Sequence, residues 1–329
     1  MNWGILGCGR IAHKFATDLL ALPSAKVHAV ASTSLVRAQE FGAKYQATHT
    51  FGSYEGLLTC PDLDVVYVAT PHVLHHQNAL MLLRAGVAVL GEKPFAMHLA
   101  QAQEMVQTAR ENNVFLMEAL WTRFMPVTLQ MLQIINSGAI GEVQLLQADF
   151  GFKAENLPEG RLLNPALGGG ALLDIGIYPV FLAYLVFGKP VSINASAVFG
   201  ETGVDVQDGI TLTYANGQMA NLSCTLLAKT PCEGLIYGEK GIIKIHTRWH
   251  ESTALTLELY EDNISGAAKI ASSETFHFER STFGYNYEAQ HVEDCLTQSR
   301  TESPAWTLQN SLELTELLDQ IRAKTAFSD

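Results

Sequence analysis

The chain reads as an α/β protein in two parts, a doubly wound parallel sheet followed by an α+β domain with a large, mostly antiparallel, open-faced sheet. Three features predict this. Short apolar strands alternate with helical stretches through about residue 120, and such alternation builds a parallel sheet because parallel neighbours need a crossover connection. A glycine-rich turn, Gly7-Cys8-Gly9-Arg10-Ile11-Ala12, joins the first strand to the first helix. After residue 120 the pattern becomes strand upon strand with turn signals between them. At 329 residues the chain is long for one core and suits two domains.

In order, residues 2–6 form a strand and 11–20 a helix, with Ile11, Phe15 and Leu19 at helical spacing and a stop before Pro23. A second strand (26–31) leads into a helix (35–45) with Ser34 as N-cap. A short strand near 49–51 and a short helix near 54–58 follow. Residues 64–69 are a continuous apolar run, as a strand covered on both faces requires. A helix (73–85) ended by Gly86, a strand (87–90), a helix (99–110) and a strand (114–117) complete the first part. The second part opens with a helix (126–137) and a long strand (142–152), and Gly168-Gly169-Gly170 leads into an apolar helix (171–187). Strands then run from 191 to about 278, with Asn216-Gly217 as a type I′ hairpin signal and 238–241 as another turn. Helices at 287–297 and 307–324 close the chain. The expected domains are 1–120 and 121–329, with the C-terminal helix, about 305–325, free to pack back on the first.

Hydrophobic residues make up 48% and charged residues 16%, ample apolar material for burial. Lys plus Arg number 21 against 33 acids, a net charge of −12. That argues against nucleic acid as a partner, because phosphate backbones need a basic surface. No basic or long apolar leader precedes the first strand, so no signal peptide is expected. The longest apolar stretch, around 175–187, is broken by Gly176 and Pro179 and reads as a buried helix, not a membrane span. Five scattered cysteines without Cys-x-x-Cys spacing fit reduced thiols, not a disulfide frame or zinc site, and a cytoplasmic location.

The turn after the first strand is the signature of a dinucleotide-binding (Rossmann) domain. Gly7 permits a tight turn, Gly9 lets backbone approach a pyrophosphate, and Ala12 keeps helix and strand close. Free amides at the helix N-terminus favour the same anion, so Gly7, Cys8, Gly9, Arg10 and Ile11 are expected at the cofactor. Glycine-rich turns also arise by chance; the position inside a βαβ unit makes this one informative. An NAD site usually places an acid at the end of the second strand. Here stand Ser32-Thr33-Ser34, and the nearest acid, Glu40, lies inside the next helix. With Arg37 they make a seat for a 2′-phosphate, so NADP is the preferred cofactor and NAD the alternative. Otherwise Arg37 is a solvated helix residue and the hydroxyls only cap.

Glu92-Lys93-Pro94 follows the fifth strand, at the carboxyl edge where open α/β sheets bind ligands. Asp174 and Tyr178, four apart on the apolar helix, share a face, and polar groups among Leu, Ile and Phe need a reason. Taken alone, Lys93 could be an ordinary exposed turn residue, and Asp174 and Tyr178 a local cap and a packed ring. The segments WGILGCGRIA, VYVATPHVLHHQNAL, GEKPFAMHLAQA, MEALWTRFMP, GGGALLDIGIYPV and YEAQHVEDCL together resemble the glucose–fructose oxidoreductase/inositol dehydrogenase/MocA (Gfo/Idh/MocA) family over essentially the whole chain. Within it the resemblance is closest to the dimeric dihydrodiol dehydrogenases and NADP-dependent D-xylose dehydrogenases.

The resemblance implies an NAD(P)-dependent oxidoreductase that moves a hydride between nicotinamide and a carbinol or carbonyl of a sugar, polyol or trans-dihydrodiol. A tyrosine near pKa 10 is a poor base unless a cation stabilises its phenolate. The resemblance implies Tyr178 as general acid/base, Lys93 as its tuner and substrate anchor, and Asp174 as the group orienting substrate or pair; the residues alone do not fix which of the two is the base. Inositol-named members carry His where this chain has Tyr178, which makes inositol a less expected substrate.

Ala69-Thr70-Pro71-His72 with His75 resembles the family's Thr-Pro-Asn-x-x-His. These residues and Glu92 are expected at the cofactor, His72 standing where Asn is usual. The His72, His75, His76 cluster lacks a carboxylate or further histidine to complete a metal site, and no metal is expected. Trp121 is expected to wall the nicotinamide or substrate pocket and Arg123 to bond the carboxamide or a phosphate, unless both pack between the domains. Phe150 and Trp249 are further candidates for an aromatic wall, and loops around 153–167 and 249–252 for shaping the pocket. The rival readings are a reductase of a sugar or imine on the same fold, and a non-catalytic dinucleotide-binding sensor or regulator. Leu212, Tyr214, Leu222, Leu226 and Ile243 are expected to line an uncovered apolar sheet face, which would serve a homodimer.

Overall fold

A computed structural model describes residues 1–155, 158–261 and 269–325. The N-terminal part alternates β1 (Asn2–Leu6), α1 (Arg10–Leu19), β2 (Lys26–Ala31), α2 (Leu35–Tyr45), β3 (His49–Phe51), β4 (Val65–Val68), α3 (His75–Arg84), β5 (Ala88–Glu92), α4 (Leu99–Asn112) and β6 (Leu116–Ala119). All six strands are parallel, in the order β3-β2-β1-β4-β5-β6. The winding direction reverses between β1 and β4, and the ligand crevice of such sheets opens beyond the carboxyl ends there. Gly7, Ser32, Thr70 and Lys93 therefore follow the strand ends of one sheet edge.

Local chemistry sets these elements. Ser34 caps α2, its Oγ accepting from the Arg37 amide at 3.4 Å. The four residues of β4 are all buried, as its unbroken apolar run requires. Strand β6 starts two residues later than its pattern suggests. Helix α4 runs on to Asn112, Asn113 stops it in the left-handed region (φ 53°), and the Val114 amide donates back to Ala109.

The second part comprises α5 (Pro126–Asn136), β7 (Val143–Gly151), α6 (Ile177–Phe187), β8 (Ser192–Phe199), β9 (Asp205–Thr213), β10 (Met219–Thr225), β11 (Gly234–Gly238), β12 (Gly241–Ile245), β13 (Ala254–Tyr260) and β14 (Ile270–His277). Two helices follow, α7 (Tyr285–Thr297) and α8 (Leu308–Thr325). The sheet order is β14-β13-β12-β11-β7-β10-β9-β8, antiparallel except for the β7–β10 pair. The β9–β10 hairpin is not the expected type I′ turn. Only Gly217 has positive φ (86°) and the Tyr214 amide pairs with Gln218, giving a three-residue loop with glycine in the left-handed position.

The apolar segment 165–187 has the length and composition of a membrane span, yet residues 170–184 are buried throughout. They pack on β7, β9 and β10. This corrects which residues line the open face, which is polar and not apolar. Leu212, Tyr214, Leu222, Leu226 and Ile243 are all buried in the interior. The outward positions of the same strands carry Gln207, Thr211, Asn221 and Ser223 instead, with Thr211 Oγ1 donating to Asn221 Oδ1 across β9 and β10 at 3.1 Å. Alternation along a strand sends one set of side chains inward and the other outward, and the apolar set belongs to the core. A homodimer thus keeps only the family resemblance as its support.

Two compact units result: residues 1–124 with 280–315, and 125–279 with 316–325. A division at residue 120 places 280–315 in the second domain, whereas its contacts group it with the first. Trp3 Nε1 donates to Glu293 Oε1 (3.0 Å), and Leu308 joins the core cluster around Leu6, Val68, Val89 and Leu116. The wholly buried Asp18 on α1 accepts the Phe283 and Tyr285 amides at 2.9 and 2.8 Å, closing the start of α7. Asp18→Ala strands both amides, and equilibrium urea unfolding should show a loss of about 2–3 kcal/mol. A loss below about 0.5 kcal/mol, the scale of a neutral surface change, would refute that role.

Candidate active site

At the end of β1, Gly7 takes φ 99°, and a Cβ there would fall 2.8 Å from the Ala69 carbonyl oxygen. Only glycine fits. Gly9 then starts α1 with no side chain capping it, so the first-turn amides remain available to an anion. Arg10 and Ile11 open that helix. These residues fit a dinucleotide pyrophosphate. Beside them Ser32 is buried, Thr33 and Arg37 are exposed, and the Ser34 amide donates to Ser32 Oγ at 3.4 Å. Burial pushes the Cys8 thiol up, while the Arg37 charge and a hydrogen bond with Ser32 pull it down. Burial likewise raises Tyr54, against the Arg37 charge. Cys8, Ser32, Arg37 and Tyr54 thus gather at one place. Tyr54 lay in a segment with no motif to single it out.

Beyond β5 three consecutive residues are each held by a buried side chain. Glu92 Oε2 accepts the Lys93 amide (3.1 Å), His75 Nδ1 donates to the Pro94 carbonyl (2.8 Å), and Glu118 Oε1 accepts the Phe95 amide (3.0 Å). The Lys93–Pro94 peptide is cis. The other Glu92 oxygen accepts from the Tyr67 hydroxyl, so a carboxylate expected at the cofactor is engaged inside the protein. His75 Nε2 also reaches the Thr70 carbonyl at 2.9 Å. Asn78 reaches Thr70 Oγ1 at 3.3 Å, and buried His72 lies edge-on to His75. His76 instead pairs with Glu104 at 2.8 Å.

Trp121 and Arg123 sit in the 3-10 turn Trp121–Phe124. Trp121 is buried and packs at 4.7 Å against Tyr285, while Arg123 Nε donates to the Ala305 carbonyl at 3.1 Å. Both therefore engage the returning segment of their own unit, and burial lowers the Arg123 pKa.

In the second unit, Asp174 and Tyr178 stand at the junction of a π-helical turn, Leu172–Gly176, and α6. A continuous α-helix was expected there; π turns concentrate at functional sites. Gly170 (φ 125°) makes the entry: a Cβ there would strike Asp205 Oδ1, whose partner oxygen accepts the Leu172 amide at 2.6 Å. Asp174 Oδ1 bonds Arg161 Nη1 at 2.5 Å. Tyr178 is buried against Phe150 (5.5 Å) and His250 (5.1 Å), and these two stack on each other at 4.2 Å. Trp249, expected as an aromatic wall, donates its indole N–H to the Asp149 carbonyl. Its neighbour His250 is the ring beside Tyr178. Arg161 and His250 had no motif around them; only the fold brings them to Asp174 and Tyr178. Of the loop expected to shape the pocket, residues 156–157 lie outside the described residues. Lys153, Pro158 and Leu163 line a cavity of about 290 Å³ with Val206 and Leu226.

The family model described as "Oxidoreductase family, NAD-binding Rossmann fold" matches residues 1–120, and the "GFO/IDH/MocA C-terminal domain" matches 128–244. The chain belongs to the Gfo/Idh/MocA oxidoreductase family. This Gfo/Idh/MocA protein is 39% identical to trans-1,2-dihydrobenzene-1,2-diol dehydrogenase of Danio rerio, over 98% of this chain and 96% of that one. It is 37% identical to the Mus musculus enzyme of the same name, with the same coverage. Among solved structures it resembles KijD10, a 3-ketoreductase from Actinomadura kijaniata in complex with NADP and TDP-benzene (TM-score 0.86, 26% identity, 99% and 98% of the two chains). It is accordingly an NAD(P)-binding oxidoreductase acting on CH–OH groups.

The same motif that fixes Lys93 gives this oxidoreductase a pH signature. Burial raises Glu118 to about 7, although Ser311, Trp306 and the Phe95 amide all favour its charged form. Burial, then the charges of Glu92 and Asp18, also raise Glu288 well above the usual range; neither of its oxygens has a hydrogen-bond partner among the described residues. Below its ordinary 4.5 Glu118 is protonated folded or unfolded, and its contribution is fully present. Between 4.5 and about 7 only the unfolded chain ionises, so stability is lost as pH rises. The melting temperature should fall across that window, and more gently in Glu118→Gln. An equal slope in both proteins would contradict this.

Proposed function

We propose that the protein is an NADP-preferring dehydrogenase/reductase of trans-dihydrodiols, sugars or polyols, with Tyr178 as general acid/base and Lys93 as the cation that tunes it. The observation that carries this is the fixing of Lys93-Pro94-Phe95 by three buried side chains at the carboxyl edge of the parallel sheet. A lysine held this way is preorganised for one task. The curated relatives are named for a vicinal diol, which favours a carbinol with a neighbouring hydroxyl as substrate. Solved variants of KijD10 with TDP-benzene and NADP include a lysine-to-alanine and a tyrosine-to-phenylalanine change, the two residue types assigned here.

The bound cofactor supplies the hydride acceptor or donor. In the oxidation direction the Tyr178 phenolate takes the carbinol proton as the C–H hydride leaves, and the carbonyl product forms. In reduction Tyr178 Oη returns the proton. Lys93 anchors the reacting hydroxyl and stabilises the phenolate. Asp174, charge-paired with Arg161, orients the substrate side. His250 is the alternative base, favoured by its contact with the Tyr178 ring. Cys8, Ser32, Thr33, Ser34 and Arg37 form the adenosine end, with Arg37 taking the 2′-phosphate.

Lys93→Ala and Tyr178→Phe should each lower turnover by about two orders of magnitude or more, while NADP binding followed by fluorescence changes little. Turnover within a few-fold of the parent would remove either assignment. If Tyr178→Phe stays active and His250→Gln does not, His250 is the base. For the cofactor, Arg37→Ala should weaken NADP by about tenfold and leave NAD unchanged; equal affinities of the parent for both would remove the argument for NADP.

A further inference from the structure

A second site with metal-binding chemistry lies on the first unit, away from the cofactor edge. His28 sits in the first half of β2, His49 begins β3, and Cys60 follows the 3-10 turn Glu55–Thr59. They therefore lie toward the amino ends of these parallel strands, whereas Gly7 and Ser32 follow the carboxyl ends. One ligand atom from each of the three lies within 4.8 Å of the others. The sequence positions 28, 49 and 60 follow no ligand spacing, so only the pairing of β2 with β3 and the path of the turn unite them.

The state of His28 is the informative part. Its Nε2 lies 2.9 Å from the Pro61 carbonyl, and a carbonyl can only accept, so Nε2 carries the proton. In the neutral ring Nδ1 is then a lone pair. His28 is 6% exposed, and Nδ1 is buried with no hydrogen-bond partner among the described residues. A buried acceptor without a donor is costly. An imidazole that gives one N–H to a backbone carbonyl and keeps the other nitrogen bare is how proteins prepare a histidine for a metal. The two rings have centroids 5.0 Å apart at 76°. Two imidazoles bound at about 2 Å to one tetrahedral ion have ring centres roughly 5 Å apart. Cys60 supplies a thiolate on losing its proton, and His49 and Cys60 are only half-buried, which leaves an entry path and a fourth position for water.

We propose that His28, His49 and Cys60 form a binding site for a zinc-class divalent cation that ties β2, β3 and the turn before β4 together. Two imidazoles and one thiolate suit a borderline ion such as Zn²⁺ and do not suit Mg²⁺ or Ca²⁺, which prefer oxygen. Closing on the ion needs side-chain shifts on the order of 1 Å.

Zinc binding to the full-length, NADP-loaded protein can be measured by competition with a chromogenic chelator, with Mg²⁺ as control. One equivalent should bind, and Cys60→Ser and His49→Gln should each weaken it by more than about tenfold while turnover without added metal is unchanged. Co²⁺ in place of zinc should show a thiolate charge-transfer band that Cys60→Ser abolishes. Zinc should also raise the melting temperature of the parent and not of the variants. Circular dichroism of both variants separates lost binding from lost fold. Absence of stoichiometric binding to the parent, or binding that survives in both folded variants, overturns the proposal.

Discussion

Three backbone groups in a row, the Lys93 amide, the Pro94 carbonyl and the Phe95 amide, are held by Glu92, His75 and Glu118. Each anchor comes from a different place: the end of β5, the start of α3 and the strand β6. The segment carrying Lys93 thus takes its position from neighbouring elements of the sheet layer, and the sheet cannot shift without moving it. The anchors are linked further. Tyr67 on β4 reaches Glu92, Thr70 after β4 reaches His75, and Trp306 from the returning segment donates to Glu118 at 3.1 Å. The role proposed for Lys93, a fixed cation, needs such support, since an error of an ångström in a reacting group can cost a hundredfold in rate.

The second unit solves the equivalent problem with aromatic packing. Tyr178 packs against the stacked pair of Phe150 and His250, whose contacts restrict its rotation. Its helix starts in a π turn after three glycines, where Asp205 comes so near the backbone that Gly170 has no room for a side chain. Asp174 in that turn faces Arg161. Packed rings leave the tyrosine with little conformational entropy to lose, so that in the role proposed for it less is spent when a substrate arrives.

Much of this was legible in the residues. The 3.6-residue and two-residue periodicities locate nearly every helix and strand, and Gly7, Lys93, Asp174 and Tyr178 stand out because their surroundings are otherwise apolar or glycine-rich. What escaped is what depends on tertiary pairing. Arg161, His250 and Tyr54 lie in segments with no motif, and only folding sets them beside Asp174, Tyr178 and Arg37. The direction of the β9 and β10 side chains also escaped, because alternation says that one set is buried without saying which layer covers it. Leu212 and Leu222 turned out to face the apolar helix. The membership of residues 280–315 escaped for a different reason: chain order carries no record of which unit a helix returns to.

That return has a consequence for how the protein is made. The first unit is completed only by residues 280–315. During synthesis the Trp3 indole waits for Glu293, Asp18 waits for the amides of Phe283 and Tyr285, and Glu118 waits for Trp306. Domains commonly fold one after another as a chain leaves the ribosome. Here the cofactor-binding half, although translated first, cannot be finished until a whole second sheet has emerged.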